Sequence, residues 1–485
     1  MKRVTRRDLI DIATALAIGG GLWFVVNLDP LWWLAWILPG VFFWLALSTA
    51  GWTQRGLIVL AGLVGACSNF SYLLKVMPLL PAMIVLLLQA LLWLLVLGAS
   101  ARVVKRFNSA WTVLALPVIA VAADTLLAHL TPDGNWGSLA YTQSEMLPIV
   151  QIAAVFGVGG ILFLLMLVNS AVGLAFTYGT KLRGALPMYL ATVALVAIAV
   201  GYGFQRLQAP IAGTPVNFGL ASLDDFIVAT TTEKSRDVWA QYDAQVLQLA
   251  GSGAKIVLLP EKIAVMSRAD ADARKRLLGD LARAHRVWLV AGVGVDDGKQ
   301  RRNEAWWYAP DGTLKTNYLK HFMAPPEREF VPGSDFPVNE IDGVRYGVAI
   351  CKDMHFASLG RAFGARDAAV MLVPAWDFYD DARMAANMTK LRGVENGFAV
   401  IRSSRDGLLS VSDAYGRMLA VEKSADMPGT TLFATAIVGA RLQTIYTRIG
   451  DLLGWICVAA AVALAVATRR KSPPSRTFEL PASSG

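Results

Sequence analysis

The chain has 485 residues, 55% of them hydrophobic, and a formal net charge of +9. Its mean hydropathy of +0.48 exceeds what the core of a soluble protein needs, and its length is too great for one ordinary domain. The positive excess lies in short segments at the ends of apolar stretches and forms no single stripe, which argues against a nucleic-acid-binding protein.

Apolar stretches long enough to cross a bilayer occur at both ends of the chain, where a spanning helix takes about 20 residues. Seven stretches precede residue 205 and an eighth follows residue 448. We therefore predict a membrane domain of seven helices at 1–204 and a last transmembrane helix within 449–470. The predicted spans are 9–26, 31–50, 56–74, 78–97, 110–130, 147–177, 185–202 and 449–468.

The basic residues indicate how these spans are oriented. Outside 205–448 there are fifteen Lys and Arg residues, and all but Lys75 fall on one side if the spans alternate. Because Lys and Arg favour cytoplasmic loops, both termini are predicted to be cytoplasmic. Region 205–448 follows seven spans and is therefore predicted to be extracytoplasmic. The Pro/Ser-rich segment 471–485 is predicted to be a disordered cytoplasmic tail.

The region between the spans, 205–448, alternates short runs rich in Val and Ile with helical patterns, which favours an α/β domain. Ala309-Pro-Asp-Gly-Thr313 is a turn signal between two strands. The predicted strands are 216–222, 255–259, 287–295, 305–308, 344–350, 368–373 and 398–403, and the predicted helices include 233–250, 269–284 and 382–395.

Cys351 is the candidate nucleophile of this region. It ends an apolar run typical of a buried strand, whereas Cys67 and Cys457 lie inside long apolar stretches and are interpreted as packing residues. A nucleophilic cysteine reacts as the thiolate, so it needs a base and a positive field nearby. Glu261 follows a predicted strand and is the proposed general base. Lys320 is the proposed cation that stabilises the developing oxyanion.

The four histidines show no spacing typical of metal ligands. The sequence therefore predicts neither a metal nor another cofactor.

Three motifs together resemble the nitrilase, or carbon–nitrogen hydrolase, superfamily. Leu-Leu-Pro-Glu261, Asn-Tyr-Leu-Lys320-His and Val-Ala-Ile-Cys351-Lys-Asp are similar to its Glu-Lys-Cys triad, and the segments 392–402 and 413–417 are similar to its later strands. The resemblance implies an αββα sandwich with Glu261, Lys320 and Cys351 in the catalytic roles given above.

The membrane context narrows the resemblance to the apolipoprotein N-acyltransferase family, in which a nitrilase-like domain precedes the last transmembrane helix. Segments 134–143, 148–153 and 157–160 are similar to that family's loop and following helix. The resemblance implies transfer of an acyl chain from phospholipid, through a cysteine thioester, to the N-terminal amine of diacylglyceryl-cysteine lipoproteins. It further implies a bacterial inner-membrane location and contact with membrane lipids. Soluble relatives often assemble, but the eight predicted spans favour a monomer.

The same resemblance implies further site residues. Glu329, which directly precedes Phe-Val-Pro, is our choice for the second glutamate of such sites, and Glu327 is the alternative because this segment has one extra residue. Asp353 is expected to support the site in place of the family's longer acid. Three aromatic residues are expected to line the lipid entrance or to anchor at the membrane interface: Trp136, Tyr141 and Trp376.

Some residues depart from the family pattern. Lys352-Asp353 replaces a Tyr-Glu pair, and the segment 326–333 ends in Pro-Gly, as in soluble nitrilases. A membrane-tethered nitrilase-type amidase is therefore the alternative function. The two differ in what resolves the thioester, an amine in the transferase and water in the amidase.

Overall fold

A computed structural model describes residues 5–182, 184–224 and 233–469. The chain begins with a helical region, continues into an α/β domain and closes with another long helix. The predicted disordered tail at 471–485 lies outside the described residues. The helices of the first region are α1 Arg6–Trp23, α2 Leu38–Ser48, α3 Gly51–Ala66, α4 Phe70–Val76, α5 Leu79–Phe107, α6 Ala115–Leu130, α7 Leu147–Val150, α8 Ala153–Tyr178 and α9 Ala185–Gln208.

Among the described residues, six helical segments are long and apolar enough to cross a membrane, and they overlap six of the predicted spans. The chain is thus a membrane protein. The two other predicted spans overlap helices that are more charged or shorter. Helix α1 carries four charged residues near its start, and α2 has 11 residues after a 3-10 turn at Leu34–Trp36. Pro39 at the start of α2 prevents one continuous helix, so the total of eight spans stays a prediction.

The predicted span 147–177 is divided between α7 and α8, and α8 is itself broken at Gly157, whose φ is 65°. The ring of Tyr446 packs so closely on this glycine that a side chain would collide with it. At the break the backbone N–H of Val158 donates to Glu395 Oε1 at 2.9 Å. The irregular turn therefore joins a membrane helix to the α/β domain.

The α/β domain contains two β-sheets and the helices that cover them. Its first half comprises β1 Thr214–Ser222, α10 Glu233–Gly251, β2 Ile256–Leu258, β3 Val265–Ser267, α11 Arg268–His285, β4 Trp288–Asp296, β5 Arg301–Tyr308 and β6 Leu314–Leu319. Its second half comprises β7 Val338–Ile341, β8 Val344–Val348, α12 Ala357–Gly364, β9 Val370–Trp376, α13 Ala382–Asn396, β10 Ala399–Arg405, β11 Leu408–Ser412, β12 Met418–Lys423 and β13 Thr430–Val438. The chain closes with α14 Ile445–Ile449 and α15 Leu452–Arg469.

The two sheets pack face to face and are covered by helices on both outer sides. The strand orders are β13-β1-β2-β4-β5-β6, with β3 beside β4, and β12-β11-β10-β9-β8-β7. Buried apolar residues of both sheets form the core between them. Helices α10 and α11 cover the first sheet, and α12 and α13 the second. This confirms the predicted αββα sandwich joined to a multispanning helical region.

Helix α13 connects the sandwich to the membrane region. It packs on the second sheet and also against α8. Met388, Leu391 and Val394 of α13 belong to the buried apolar cluster of the membrane helices. The two regions therefore share a core at this point, and the residues just before α13 lie at the boundary between them.

The seven predicted strands overlap β1, β2, β4, β5, β8, β9 and β10, whereas β3, β6, β7 and β11 to β13 were not predicted. Strand β13 shows the physical reason. Its inward residues Ala434 and Ala436 are small, whereas Phe433 and Ile437 are exposed. In a strand with one buried face, large apolar residues usually point inward and polar residues outward. In β13 the inward residues are small and the outward residues include large apolar ones, so the pattern that predicts a strand is missing.

Candidate active site

Cys351 lies at a sharp turn directly after β8. Its φ of 44° is in the left-handed region, which is strained for a residue with a side chain. The turn is held by Asp353, whose Oδ2 accepts the backbone N–H of Ile350 at 3.0 Å. The Cys351 thiol donates to the carbonyl oxygen of Trp376, at the end of β9, at 3.4 Å. The thiol thus lies where two neighbouring parallel strands end.

Lys320 brings two carboxylates of the site together. Its Nζ lies 2.7 Å from Glu261 Oε1 and 2.6 Å from Glu327 Oε2. Asn303, on β5, donates its Nδ2 to the same two side chains, at 2.5 Å to Glu261 and 2.9 Å to Glu327. All four residues are at most 2% exposed. The structure therefore places Glu261 and Lys320 in direct contact with each other.

Lys262 supplies a second buried ammonium, which was not predicted from the sequence. It forms an ion pair with Glu327, and its Nζ lies 4.7 Å from the ring centre of Trp376 and 5.3 Å from that of Phe330. The negative face of an aromatic ring attracts a cation at such distances. The two lysines and two glutamates therefore balance one another in charge.

Glu261 retains one free acceptor. Among the described residues its Oε2 is buried and has no hydrogen-bond partner. The Glu261 backbone N–H donates to Ala375 O at 3.2 Å, and a side chain at Gly292 would come within 2.6 Å of the Glu261 Cα. These close backbone approaches fix the carboxylate, whose free oxygen is available to accept a proton.

The surroundings of Cys351 keep its thiol protonated at rest. Burial raises the pKa of the Cys351 thiol above its ordinary value, and the negative charge of Glu261 raises it further, whereas Lys320 lowers it. The nucleophile therefore needs a base at the moment of attack.

The charges of the partner groups are fixed by their ion pairs. Burial disfavours the Lys320 ammonium, but the carboxylates of Glu261 and Glu327 hold its pKa well above the ordinary value. Burial likewise opposes the Glu327 carboxylate, but Lys320 and Lys262 lower the pKa of Glu327 to about 2. Lys320 is thus a cation and Glu327 an anion near neutral pH.

The prediction of Glu329 as the second glutamate is wrong. Its side chain is 62% exposed and forms an ion pair with Arg301 on the surface. The 3-10 turn Pro325–Glu327 directs Glu327 toward Lys320 instead, and Glu329, two residues later, faces outward. The alternative, Glu327, is thus the one of the two glutamates that contacts Lys320.

Asp353 lies behind the cysteine turn and does not contact Lys320 by a hydrogen bond. It accepts the Tyr318 hydroxyl at 2.7 Å and the backbone N–H of Phe322 at 2.8 Å, in addition to that of Ile350. Its carboxylate thereby ties the segment that follows Lys320 to the cysteine turn. This placement fits the predicted supporting role, which stays a proposal.

Two adjoining cavities lie at the boundary between the sandwich and the membrane helices. The smaller cavity, which we call the cysteine cavity, has a volume of about 190 Å³. It is lined by Glu261, Lys320, Cys351 and Trp376. The larger one, of about 900 Å³, is enclosed mainly by apolar side chains of the membrane helices. Three residues line both cavities: Val85, Asp133 and Trp136.

The three predicted substrate-binding residues are distributed between these cavities. Trp376 lines the cysteine cavity and Trp136 lines both. Tyr141 lines the larger cavity only, where its hydroxyl donates to Asn135 at 3.0 Å and accepts from Arg392 at 2.8 Å. The structure thus brings the two tryptophans, but not Tyr141, to the cysteine cavity.

Lys352, which departs from the family pattern, is directed toward the membrane region. Its Nζ lies 2.5 Å from Asp133 Oδ1 and donates to the carbonyl of Met323 at 3.0 Å. The residue that follows Cys351 thus forms an ion pair across the boundary between the two regions.

The fold and this site define a carbon–nitrogen hydrolase domain attached to membrane helices. The family model for the carbon-nitrogen hydrolase matches residues 211–432, and that for the apolipoprotein N-acyltransferase N-terminal domain matches residues 19–171. Together the two matches cover most of the chain, which resembles the apolipoprotein N-acyltransferase family in both of its regions.

Individual relatives extend over most of the chain. It is 27% identical to an apolipoprotein N-acyltransferase of Geobacter metallireducens over 399 residues, which is 74% of this chain and 75% of the relative. It is 26% identical to one of Gloeobacter violaceus, covering 79% of this chain and 77% of the relative. A solved structure of an amidase from Nesterenkonia sp. is 21% identical and covers 47% of this chain and 92% of its own, with a TM-score of 0.40.

Proposed function

We propose that the protein is a membrane acyltransferase that moves an acyl chain from phospholipid to the N-terminal amine of diacylglyceryl-cysteine lipoproteins. The observation that carries this proposal is the sharing of Val85, Asp133 and Trp136 between the cysteine cavity and the apolar cavity of about 900 Å³. That volume is at the upper end of the range for ligand pockets, about 300–1,000 Å³, and its apolar lining suits an acyl chain.

In the first half-reaction the Cys351 sulfur attacks the carbonyl carbon of a phospholipid acyl ester. The thiol proton passes to Glu261, whose free oxygen is available for it. Lys320 is positioned to stabilise the oxyanion of the tetrahedral intermediate. The carbon–oxygen bond of the ester then breaks, and Glu261 returns the proton to the leaving alkoxide. The products are a lysophospholipid and a thioester on Cys351.

In the second half-reaction the neutral N-terminal amine of the lipoprotein attacks the thioester carbonyl. Glu261 takes the proton that the attacking nitrogen loses and gives it to the departing Cys351 sulfur. The carbon–sulfur bond breaks, leaving an amide on the lipoprotein and a free thiol on the enzyme. Both substrates carry acyl chains, so a catalytic cavity at the membrane boundary suits the reaction.

The location proposed for this activity is the bacterial inner membrane, with the catalytic domain on the extracytoplasmic side and both termini in the cytoplasm. The distribution of basic residues supports this orientation, because Lys75 alone among those outside 205–448 falls on the catalytic side. Reporter fusions at the two termini and within the catalytic domain test it directly. A cytoplasmic signal from the catalytic domain would overturn this part of the proposal. We further propose that the enzyme acts as a monomer.

The reaction is tested by mass spectrometry of the purified protein after incubation with phospholipid. Wild type is expected to gain an acyl-sized adduct on Cys351, and Cys351→Ala to gain none. Cys67→Ala and Cys457→Ala are matched controls that should retain the adduct, because both cysteines lie outside the α/β domain, in the apolar segments Gly51–Val76 and Leu452–Arg469. Adding a diacylated lipopeptide should clear the adduct and produce a triacylated product.

The amidase alternative predicts a different outcome. An adduct that water clears equally fast without an amine acceptor would indicate a hydrolase. Absence of any adduct in wild type would mean that phospholipid is not the donor and would refute the transferase proposal.

A further inference from the structure

The ionised side chains that line the cysteine cavity are nearly all paired with an opposite charge. Lys320 and Lys262 pair with Glu261 and Glu327, as described above. Lys352 pairs with Asp133 at 2.5 Å. Several carboxylates among the described residues line this cavity. Of these, Asp381 has no cationic partner within ion-pair distance.

Two neighbours of Asp381, Asp377 and His355, could change the net charge of the cavity, but neither does. Asp377 also lines the cavity, but its carboxylate forms a bidentate ion pair with buried Arg402, at 2.5 and 2.9 Å. His355 lines the cavity as well, and burial holds the pKa of its imidazole well below the ordinary value, so it is neutral. The cavity therefore carries one uncompensated negative charge.

Asp381 is 5% exposed and is held in place from both sides of the domain boundary. Its Oδ2 accepts the hydroxyl of Tyr72, from membrane helix α4, at 2.9 Å. Its Oδ1 accepts the backbone N–H of Phe378 at 2.8 Å. A carboxylate offers about four acceptor positions, so about two stay available to a ligand in the cavity.

The position of Asp381 before α13 offers a simpler explanation for the negative charge, because helix N-termini favour anions. Its side chain, however, makes no capping hydrogen bond to the helix. The carboxylate turns instead to Tyr72 and the cavity. Helix capping therefore leaves the orientation of Asp381 unexplained.

We infer that Asp381 is the acceptor subsite, a carboxylate that binds the protonated N-terminal amine of the incoming lipoprotein and places it beside the Cys351 thioester. This inference rests on the proposed function. A primary ammonium has three N–H donors and one positive charge, which match an oriented carboxylate without a cationic partner. The N-terminal amine of a lipidated cysteine lies at the bilayer surface, and Asp381 lies where the sandwich meets the membrane helices.

Binding and reaction are separate steps for this amine. The bound ammonium first releases one proton to water, and the neutral nitrogen then attacks the thioester carbonyl as described above. The net change of the second half-reaction is ammonium plus thioester to amide, free thiol and one released proton. Asp381 exchanges no covalent bond, so it acts in binding and positioning.

The test separates the two half-reactions of the purified full-length enzyme. The donor is phosphatidylglycerol, which has no ammonium group, and adduct formation on Cys351 is followed by mass spectrometry. The preformed adduct is then mixed with increasing concentrations of a diacylated lipopeptide. Asp381→Asn should form the adduct at a rate comparable to wild type but need about tenfold more lipopeptide for half-maximal clearance.

The neighbouring carboxylate provides a matched control. Asp380 is partly exposed and pairs with Lys75 at 2.7 Å, so Asp380→Asn should clear the adduct as wild type does. Tyr72→Phe removes one hydrogen bond to Asp381 and should raise the half-maximal concentration by a smaller factor than Asp381→Asn.

Two non-reactive lipopeptides distinguish charge recognition from a folding defect. One carries a quaternary ammonium at its N-terminus and the other an N-terminal acetyl group. Wild type should be inhibited more strongly by the charged peptide, and Asp381→Asn should lose that preference.

Equal slowing of adduct formation and clearance in Asp381→Asn would overturn the inference, because it would show a general structural role. An unchanged preference for the charged inhibitor would overturn it as well. Failure of wild type to form any adduct would instead count against the proposed function, so the two failures are distinguishable.

Discussion

The ion pairs of the catalytic site differ from two ion pairs on the surface of the boundary between the sandwich and the membrane helices. On the sandwich side, Glu261, Lys320 and Glu327 form ion pairs whose side chains are at most 2% exposed. Across the boundary between the sandwich and the membrane helices, Lys75 pairs with Asp380, and Arg383 with Asp29, and each of these side chains is at least 36% exposed. Buried pairs hold a strict geometry because breaking them leaves a buried charge, whereas exposed pairs contribute little. The catalytic ion pairs are thus held rigidly, whereas the two exposed pairs add little to the contacts that hold the boundary together.

The largest effect is expected at the base on the sandwich side. Glu261→Gln keeps the shape of the side chain but cannot accept the thiol proton, and the raised pKa of Cys351 leaves few spontaneous thiolates. Adduct formation should fall by about 10²–10⁴-fold, the usual contribution of a general base. Time-resolved mass spectrometry of the phospholipid-treated protein measures this rate, and a loss of less than about tenfold would contradict the assigned role.

The next largest effect is expected at Glu327 and can be compared with that at Glu329, two residues later. Glu327→Gln removes one partner of a buried ion-pair cluster, which costs about 3–5 kcal/mol in comparable cases, and it should also slow adduct formation. Glu329→Gln removes a surface charge and should stay within about 0.5 kcal/mol of wild type. Thermal unfolding in detergent and the adduct assay check both variants. Equal effects of the two changes would show that Glu327 is not the buried partner of Lys320.

Thermal stability measured over a range of pH tests whether the ion pairs of Glu327 cause its effect. The ion pairs lower the pKa of Glu327 to about 2 from an ordinary value of 4.5. Because the folded-state pKa is the lower one, the stability that this carboxylate contributes is complete above about pH 4.5 and is lost as the pH falls toward about 2. The difference in unfolding temperature between wild type and Glu327→Gln should therefore shrink over this interval. A difference independent of pH would contradict the ion-pair explanation.

The smallest effect is expected on the membrane side. Lys75→Ala removes a half-exposed ion pair and should cost less than about 1 kcal/mol. Salt screens such pairs, so its effect on thermal stability should diminish further at high ionic strength. A double-mutant cycle with Asp380→Ala isolates the pair itself, and a coupling above about 2 kcal/mol would show that this pair is not a weak contact.

The same contrast explains what the sequence could predict. Glu261, Lys320 and Cys351 follow strands or lie beside them in three separate motifs, so their order along the chain was enough to group them. The choice between Glu327 and Glu329 depended on a single 3-10 turn, which local sequence does not fix to within one residue. Asn303 lies within β5, without a motif of its own, and the pairing of β5 with β4 brings its side chain to the site.

The features of the boundary were the hardest to predict. Asp381, Tyr72 and Lys352 acquire their contacts only when a membrane helix and a loop of the sandwich meet across a long separation in sequence. The break at Gly157 likewise depends on Tyr446, nearly three hundred residues later in the chain. Patterns of hydropathy describe each helix by itself and carry no information on such pairings.

The pairing of β1 with β13 determines where the sandwich domain can be separated from the membrane helices. Thr214 lies opposite Val438, so the first and last strands of the sandwich end side by side, just after α9 and just before α14 and α15. Domains whose ends lie close together tolerate insertion into other chains. The two ends of the sandwich domain are therefore adjacent, so the domain can be exchanged as a unit. We expect that a relative's catalytic domain, exchanged at these two points, would take its place in this membrane scaffold, provided that its counterpart of α13 fits α8.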